Sequence, residues 1–108
     1  MFVEFPESEW KVFRKLREVA LDRFCEKALA EMTRAASEAG KTSHERYLRV
    51  WKVMKRRDRE LALAFDNPRR SHVLDQLLQI QRLNLLTADE MSQFSAETRN
   101  KTRVLLEL

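Results

Sequence analysis

Ala39-Gly40-Lys41-Thr42-Ser43-His44-Glu45 joins a helix stop to a helix start within a few residues. Gly40 is the only glycine in the chain, and glycine readily takes the left-handed conformation that ends many helices. Thr42 and Glu45 have the spacing of a capping box, in which each side chain bonds the backbone N–H of the other residue. The stretch therefore predicts a tight corner between two helices.

The sequence on both sides of this corner has a helical pattern. Apolar residues recur every three or four positions from about residue 8 to residue 39, and again from 43 to 65. The chain has two prolines, Pro6 before the first of these segments and Pro68 after the second. We therefore predict an all-α fold built on a long antiparallel helical hairpin of residues 8–39 and 43–65.

Three shorter helices are predicted after the hairpin, over residues 68–83, 88–94 and 96–106. Each of their boundaries carries a side chain that suits a helix cap or a left-handed stop: Asn67 before Pro68, Asn84, Thr87 with Glu90, and Ser95. The chain has 108 residues and shows no repeat or linker, so we expect a single domain over 1–108.

The amino-acid composition argues against most kinds of catalytic, cofactor-binding and metal site. The single glycine excludes glycine-rich phosphate loops, and two histidines with one cysteine argue against a metal centre. We therefore expect no cofactor and no enzymatic activity. The lone Cys25 fits a reducing, cytoplasmic setting, and the absence of a long apolar run predicts no membrane partner. Residues 1–6 lack the features of a signal peptide, so none is expected.

The first helix has two apolar faces that one flat surface cannot cover. One carries Val12, Phe13, Leu16, Val19 and Ala20, and the other carries Leu21, Phe24, Cys25, Ala28, Met32 and Ala35. We expect the second face to dock on helix 2 and the first on the C-terminal helices or on a partner. A kinked helix around one core is the alternative. About 32 residues span ~48 Å, against ~34 Å for a compact globule of this size, so the molecule is elongated or covered by another chain.

The second helix is amphipathic. Its predicted core face is Tyr47, Val50, Trp51, Met54, Leu61 and Phe65. Its opposite face is a basic ridge of Arg49, Lys52, Arg56 and Arg59. Such a ridge could follow nucleic-acid phosphates or dock an acidic protein, and the alternative is an ordinary solvated face.

A second cluster of basic residues, Arg69, Arg70 and His72, falls at the predicted start of helix 3. Cations are disfavoured there by the helix dipole, so the cluster is a candidate contact for an anion or an acidic partner. Pairing with Asp66 or Glu60 is the alternative explanation.

Two charged residues interrupt the apolar stripes. The antiparallel register places Asp58 opposite Cys25, but a cysteine nucleophile needs a basic partner, and His44 lies roughly 21 Å from Asp58 along the helix. We therefore expect Cys25 to be structural. The same register brings Arg17 near Asp66 and predicts an ion pair between them.

Residues 74–94 read LDQLLQIQRLNLLTADEMSQF. This segment resembles the short C-terminal oligomerisation motif called SHOCT, in which a leucine-rich helix, a Gly-hydrophobic-hydrophobic-Thr turn and a short acidic helix follow one another. Asn84 stands where that family has glycine, and both residues tolerate the left-handed conformation. The resemblance implies association between helices and not catalysis.

The last residues of the chain are strongly apolar and costly to leave in water. Together with the first face of helix 1 they predict a homodimer whose contact residues are Val12, Leu16, Val19, Val104, Leu105 and Leu108. The sequence thus predicts a small, non-enzymatic, self-associating helical interaction module. Nucleic-acid binding through the basic ridge of helix 2 is the alternative.

Overall fold

The computed structural model describes residues 5–108. The expectation about a signal peptide concerns residues 1–6, of which residues 1–4 lie outside the described residues. Over residues 5–108 the protein is all-α, as predicted. Its α-helices are α1 (Glu7–Ala36), α2 (Ser43–Phe65), α3 (Val73–Arg82), α4 (Ala88–Met91) and α5 (Ala96–Leu106), and a 3-10 turn covers Arg70–His72. Helices α1 and α2 form the predicted hairpin.

The corner between α1 and α2 has the predicted left-handed glycine and capping box, but Gly40 lies four residues after Ala36, the last residue of α1, and is not the direct stop of that helix. Gly40 has a φ of 77°. The Thr42 hydroxyl accepts a hydrogen bond from the Glu45 amide at 3.1 Å, and the Glu45 carboxylate accepts one from the Thr42 amide at 3.2 Å. Helix α1 ends at Ala36 and not at residue 39, because Arg46 of α2 donates to the Ala36 carbonyl at 2.7 Å and satisfies this helix end.

The prediction for the corner between α2 and α3 was wrong about the helix cap and about where α3 begins. Asn67 does not cap a helix but takes the left-handed conformation, with a φ of 48°. Pro68 lies outside the helix, and α3 begins only at Val73, after the 3-10 turn. The side chain of Gln76 donates to the Asp66 carbonyl at 2.5 Å and ties α3 to this corner.

The three remaining boundaries follow the predicted chemistry. Asn84 has a φ of 55°, Thr87 and Glu90 form a complete capping box, and Ser95 accepts a hydrogen bond from the Thr98 amide. Helix α4 ends at Met91 and not at residue 94, and the Met91 carbonyl accepts from the Phe94 amide in a tighter turn.

The core lies at the base of the hairpin, where α3, α4 and α5 pack against it. Its buried apolar residues in α1 and α2 are Phe13, Leu16, Ala20, Phe24, Ala28, Ala64 and Phe65, and those that follow are Val73, Leu77, Ile80, Leu85, Met91 and Phe94. No residue of the segment 29–63 is buried. The molecule measures 53 × 28 × 26 Å, so it is elongated, with the base packed and the rest of the hairpin projecting as two layers.

Arg17 has a different partner from the predicted one. Its Nη2 atom donates to the Phe65 carbonyl at 2.6 Å, and the guanidinium lies 5.7 Å from the centre of the Phe65 ring. No ion pair joins Arg17 to Asp66, both of which are described, so that prediction was wrong. The last carbonyls of α2 lack intrahelical donors and compete with the exposed Asp66 carboxylate for the arginine.

Arg23 and Glu90 fasten the C-terminal helices to α1. The two side chains form a bidentate pair at 2.6 and 3.0 Å, and Arg23 also donates to the Leu85 carbonyl at 2.9 Å. The hydrogen bond from Arg23, followed by the one from the Thr87 amide, lowers the pKa of Glu90 to about 2.

This pair makes stability depend on acid pH. A carboxylate whose pKa is lower in the folded than in the unfolded chain stabilises the fold above its ordinary pKa, and the contribution is lost as the pH falls. The free energy of unfolding should therefore fall between about pH 4.5 and pH 2, as urea titrations at several pH values would measure. Glu90→Gln should lower stability by about 1–3 kcal/mol at pH 7 and flatten this acid limb.

The matched control is Glu97→Gln, because Glu97 is exposed and pairs with Lys101 within one helix. It should change stability by less than ~0.5 kcal/mol at pH 7. If the free energy of unfolding of the Glu90→Gln variant fell equally steeply at acid pH, this would contradict the assignment of the pH dependence to Glu90.

Candidate interaction surface

An open apolar groove of about 300 Å³ runs between α1 and α2 beyond the core. Its lining comes from these two helices only: Phe24, Cys25, Ala28, Leu29, Met32, Met54, Arg57, Asp58 and Leu61. We call this surface the apolar groove. Leu29 is 63% exposed and Met54 is 51% exposed, although both are large and apolar.

The apolar groove faces away from the C-terminal helices. On α1, Arg23 and Lys27 donate to the carbonyls of Leu85 and Asn84, so α3 and the turn after it lie on that side. Residues two positions apart on a helix point about 200° apart. Cys25 and Leu29 therefore point to the opposite side, and no described element of the chain covers them.

The predicted core face of α2 is only partly a core face. Leu61 packs against the core and Phe65 is buried in it, as expected. Tyr47, Trp51 and Met54 belong to the same stripe but are 68%, 50% and 51% exposed. The prediction that they are covered was wrong for this part of the hairpin, because α2 turns a different row of residues toward α1.

That second row is largely polar. It consists of the half-buried residues Arg46, Val53, Arg57 and Glu60, together with Val50, which is the half-buried member of the predicted core face that borders this row. Arg57 lies 5.5 Å from the centre of the Phe24 ring and bonds Glu31 at 2.9 Å. These mostly polar residues form the contact between α1 and α2. The apolar stripe of α2 therefore lies to one side of that contact, along the edge of the apolar groove.

The opposite side of the hairpin carries the basic ridge, and half of its cations are already paired. Arg49 forms an ion pair with Glu38, and Arg56 forms one with Glu31. The hydrogen bond from Arg56, followed by that from Arg57, lowers the pKa of Glu31. Lys52 and Arg59 form no ion pair with a described carboxylate. The geometry thus favours an internally neutralised face over a continuous phosphate track.

The second basic cluster lies at the corner before α3. Arg70 pairs with Glu7 and stacks on Trp10 at 5.9 Å, while Arg69 and His72 are exposed. Arg70 therefore has a carboxylate partner, but this partner is Glu7 and not the Asp66 or Glu60 that the alternative explanation named. The cluster belongs to the 3-10 turn and not to the first turn of α3.

The residues predicted for self-association fall into two groups. Leu16 is buried in the core, so the prediction that it contacts another chain was wrong. Val12 and Val19 are half-buried beside it on the same helix. At the C-terminus, Val104 and Leu108 are exposed and Leu105 is half-buried, and Leu74 joins Val104 and Leu105 in an open apolar pocket of about 400 Å³.

The residues considered for catalysis do not form a catalytic group. Cys25 and Asp58 line the same groove, as the register predicted, but both are exposed and His72 is not among the lining residues. Within residues 5–108, no three His, Cys, Asp or Glu side chains are grouped so that they could hold a metal ion. In the same part of the chain, every helix is too short or too polar to span a lipid bilayer.

No protein family, curated protein or solved structure matches this chain. The resemblance of residues 74–94 to the SHOCT motif therefore stays a prediction. The side chains behind it serve the helix boundaries at Asn84 and Thr87 described above.

Proposed function

We propose that this protein is a small non-enzymatic interaction module, of a regulatory kind, that self-associates through the apolar groove. The exposure of Leu29, Trp51 and Met54 along one side of the hairpin carries the proposal. Stable helical domains cover each apolar stripe with another helix, and a large uncovered patch marks an interaction site. A cytoplasmic setting belongs to the same proposal and rests on the lone Cys25.

A second copy of the hairpin has the right form to cover this surface. The exposed stripe of α2 repeats at the alternating four- and three-residue spacing of helix bundles, through Tyr47, Trp51, Met54, Asp58 and Leu61. Two hairpins that meet through their grooves would make a four-helix bundle, in which the exposed apolar residues of each helix face the other copy. The dimer then extends the core of the base along the rest of the hairpin.

Light scattering over a dilution series tests the proposal. The chain has a mass of 12.9 kDa, so the expected molar mass at high concentration is twice that value. The dimer should persist in moderate salt, and its molar mass should not change when duplex DNA or RNA is added. A mass that stays at one chain at every concentration would overturn self-association.

Nucleic-acid binding is the second candidate, since Lys52 and Arg59 of the ridge are exposed and lack ion pairs within residues 5–108. In that case the molar mass rises only with added DNA or RNA, and the affinity falls steeply with salt. Replacing the four ridge cations by glutamine should then abolish binding. The same replacement should leave a groove-mediated dimer intact.

A further inference from the structure

A second cleft lies among the C-terminal helices, where α5 passes α4 and the end of α3. It has a volume of about 420 Å³, and its lining includes the apolar residues Leu86, Met91 and Leu106 and two arginines of α5, Arg99 and Arg103. We call it the arginine cleft. None of its lining residues belongs to the apolar groove, which is built from α1 and α2 only. The two surfaces are therefore separate.

The packing of α5 fixes the side on which these residues lie. Residues at positions i, i+4 and i+7 share one face of a helix, and Arg99, Arg103 and Leu106 have this spacing. The adjacent face of α5 carries Thr98 and Thr102, which are both buried. The two arginines are exposed and Leu106 is 41% exposed, so their face extends beyond the core.

The two arginines of the cleft have no carboxylate of the described chain as a partner. Among the described residues that line the cleft, none is acidic. Arg103 makes a long hydrogen bond of 3.4 Å to the Asn100 side chain, whereas Lys101, on another side of α5, pairs with Glu97 at 3.1 Å. Like charges four residues apart, as in Arg99 and Arg103, destabilise a helix, and an anionic partner would relieve that repulsion.

The distance between the two arginines fits two carboxylates on one edge of a helix. Four residues of α-helix rise about 6 Å, and the same rise separates carboxylates at positions i and i+4 of a partner helix that lies along α5. Apolar side chains beside those carboxylates would then contact Leu86, Met91 and Leu106. A small inorganic anion would leave these apolar residues in water, and a purely apolar ligand would leave both guanidinium groups without a partner.

We infer that the arginine cleft binds an acidic amphipathic helix of a partner protein. Two carboxylates of that helix bond Arg99 and Arg103, and its apolar side chains pack on the apolar lining of the cleft. This is recognition of a helix in a groove, with the charges fixing the register and the apolar contact supplying area. The inference goes beyond the proposed function and does not depend on the dimer, since the partner helix and a second copy of the chain occupy different surfaces.

Fluorescence anisotropy of a labelled peptide tests this inference on the full chain. The probe is a synthetic helical peptide of about 14 residues, long enough to follow α5, with glutamates four residues apart along one edge and leucines on the adjoining face. Arg99→Gln/Arg103→Gln should weaken binding about 10-fold or more at low salt, because charge-assisted hydrogen bonds are lost. This effect should shrink at high salt. Leu106→Ala should weaken binding about 3- to 10-fold at low and high salt alike, because it removes apolar contact.

The matched control is Arg34→Gln/Arg69→Gln, which removes the same two charges from exposed positions outside the cleft. It should change the dissociation constant less than about twofold. Equal losses in the two double variants would show attraction by net charge alone and would overturn the inference. A peptide with the same residues in scrambled order should bind at least about fivefold more weakly, because its carboxylates and leucines no longer share one side. Equal binding of the two peptides would overturn the inference as well.

Two further results would also contradict the choice of partner. One is a helical peptide that does not bind the unchanged protein, and the other is binding of phosphatidylserine vesicles or duplex DNA to the cleft in place of the peptide. Either result leaves the dimer through the apolar groove standing, because that proposal is tested by the molar mass of the protein alone.

Discussion

Replacing Met54 with aspartate is expected to convert the protein into a monomer. Met54 is 51% exposed in the single chain, so the change should leave the fold of that chain in place. In the proposed dimer the new carboxylate would be buried between apolar residues of both copies, and it would occur twice. An unpaired buried charge costs several kcal/mol, so the dissociation constant should rise at least about 100-fold.

Sedimentation equilibrium measures this loss, and circular dichroism of the variant checks that the helices are retained. Asp58→Leu is the counterpart, because Asp58 lies on the same stripe and brings a charge into the apolar groove. It should tighten the dimer about tenfold or more, since it replaces a charged group by an apolar one at the interface. A groove that serves no contact would show neither effect, and the two variants would then match the unchanged protein.

Replacing Glu9 with alanine is expected to give the largest loss of monomer stability among single polar changes. Glu9 is buried, and its Oε1 atom accepts hydrogen bonds from the Ser95 amide at 2.7 Å and from the Thr98 hydroxyl at 2.8 Å. Ser95 caps α5, but residue 98 is a threonine, which cannot reach back to the cap as the glutamate of a capping box does. Glu9 supplies that carboxylate from the other end of the chain.

The loss should be about 2–5 kcal/mol, because a buried donor on Thr98 and a partly buried one on Ser95 are left without this acceptor. Burial by itself raises the pKa of Glu9, but the hydrogen bonds from Ser95 and Thr98 outweigh it, and the pKa lies below its ordinary value. Glu9→Gln keeps an oxygen acceptor without the charge and should lose about half as much. Urea titration measures both, with the exposed Glu18→Ala as the control within ~0.5 kcal/mol of the unchanged protein. Equal losses of stability in Glu9→Ala and Glu18→Ala would contradict the role of Glu9 in capping α5.

Local signals were sufficient to predict the helix boundaries that depend on neighbouring residues. These boundaries depend on backbone groups within a few residues of the side chain, so their chemistry can be predicted directly from the sequence. They involve Gly40, the capping boxes at Thr42 and Thr87, Asn84 and Ser95. Asn67 was misassigned because an asparagine before a proline suits both a cap and a left-handed turn.

Contacts between distant residues were not predictable in the same way. An apolar stripe shows which side of α2 avoids water, but not which other element covers it. Phe65 is buried in the core, whereas Trp51 and Met54 of the same stripe are exposed to solvent. The contact between α2 and α1 is made by charged residues such as Arg57. Glu9 also looked like an ordinary acidic residue in the first turn of a helix. The only available hint was the missing glutamate at residue 98.

The polar seam of the hairpin has a consequence for its motions. Between residues 29 and 63 no side chain is buried, and ion pairs such as Arg49 with Glu38 hold the two helices together. Amide hydrogens in this segment should exchange with solvent through local opening, well below the free energy of global unfolding that protects Leu77 and Ile80. The proposed dimer would cover the same segment, so exchange there should then slow as the protein concentration rises. In that case the projecting half of the hairpin gains its protection from the second copy and not from the core of its own chain.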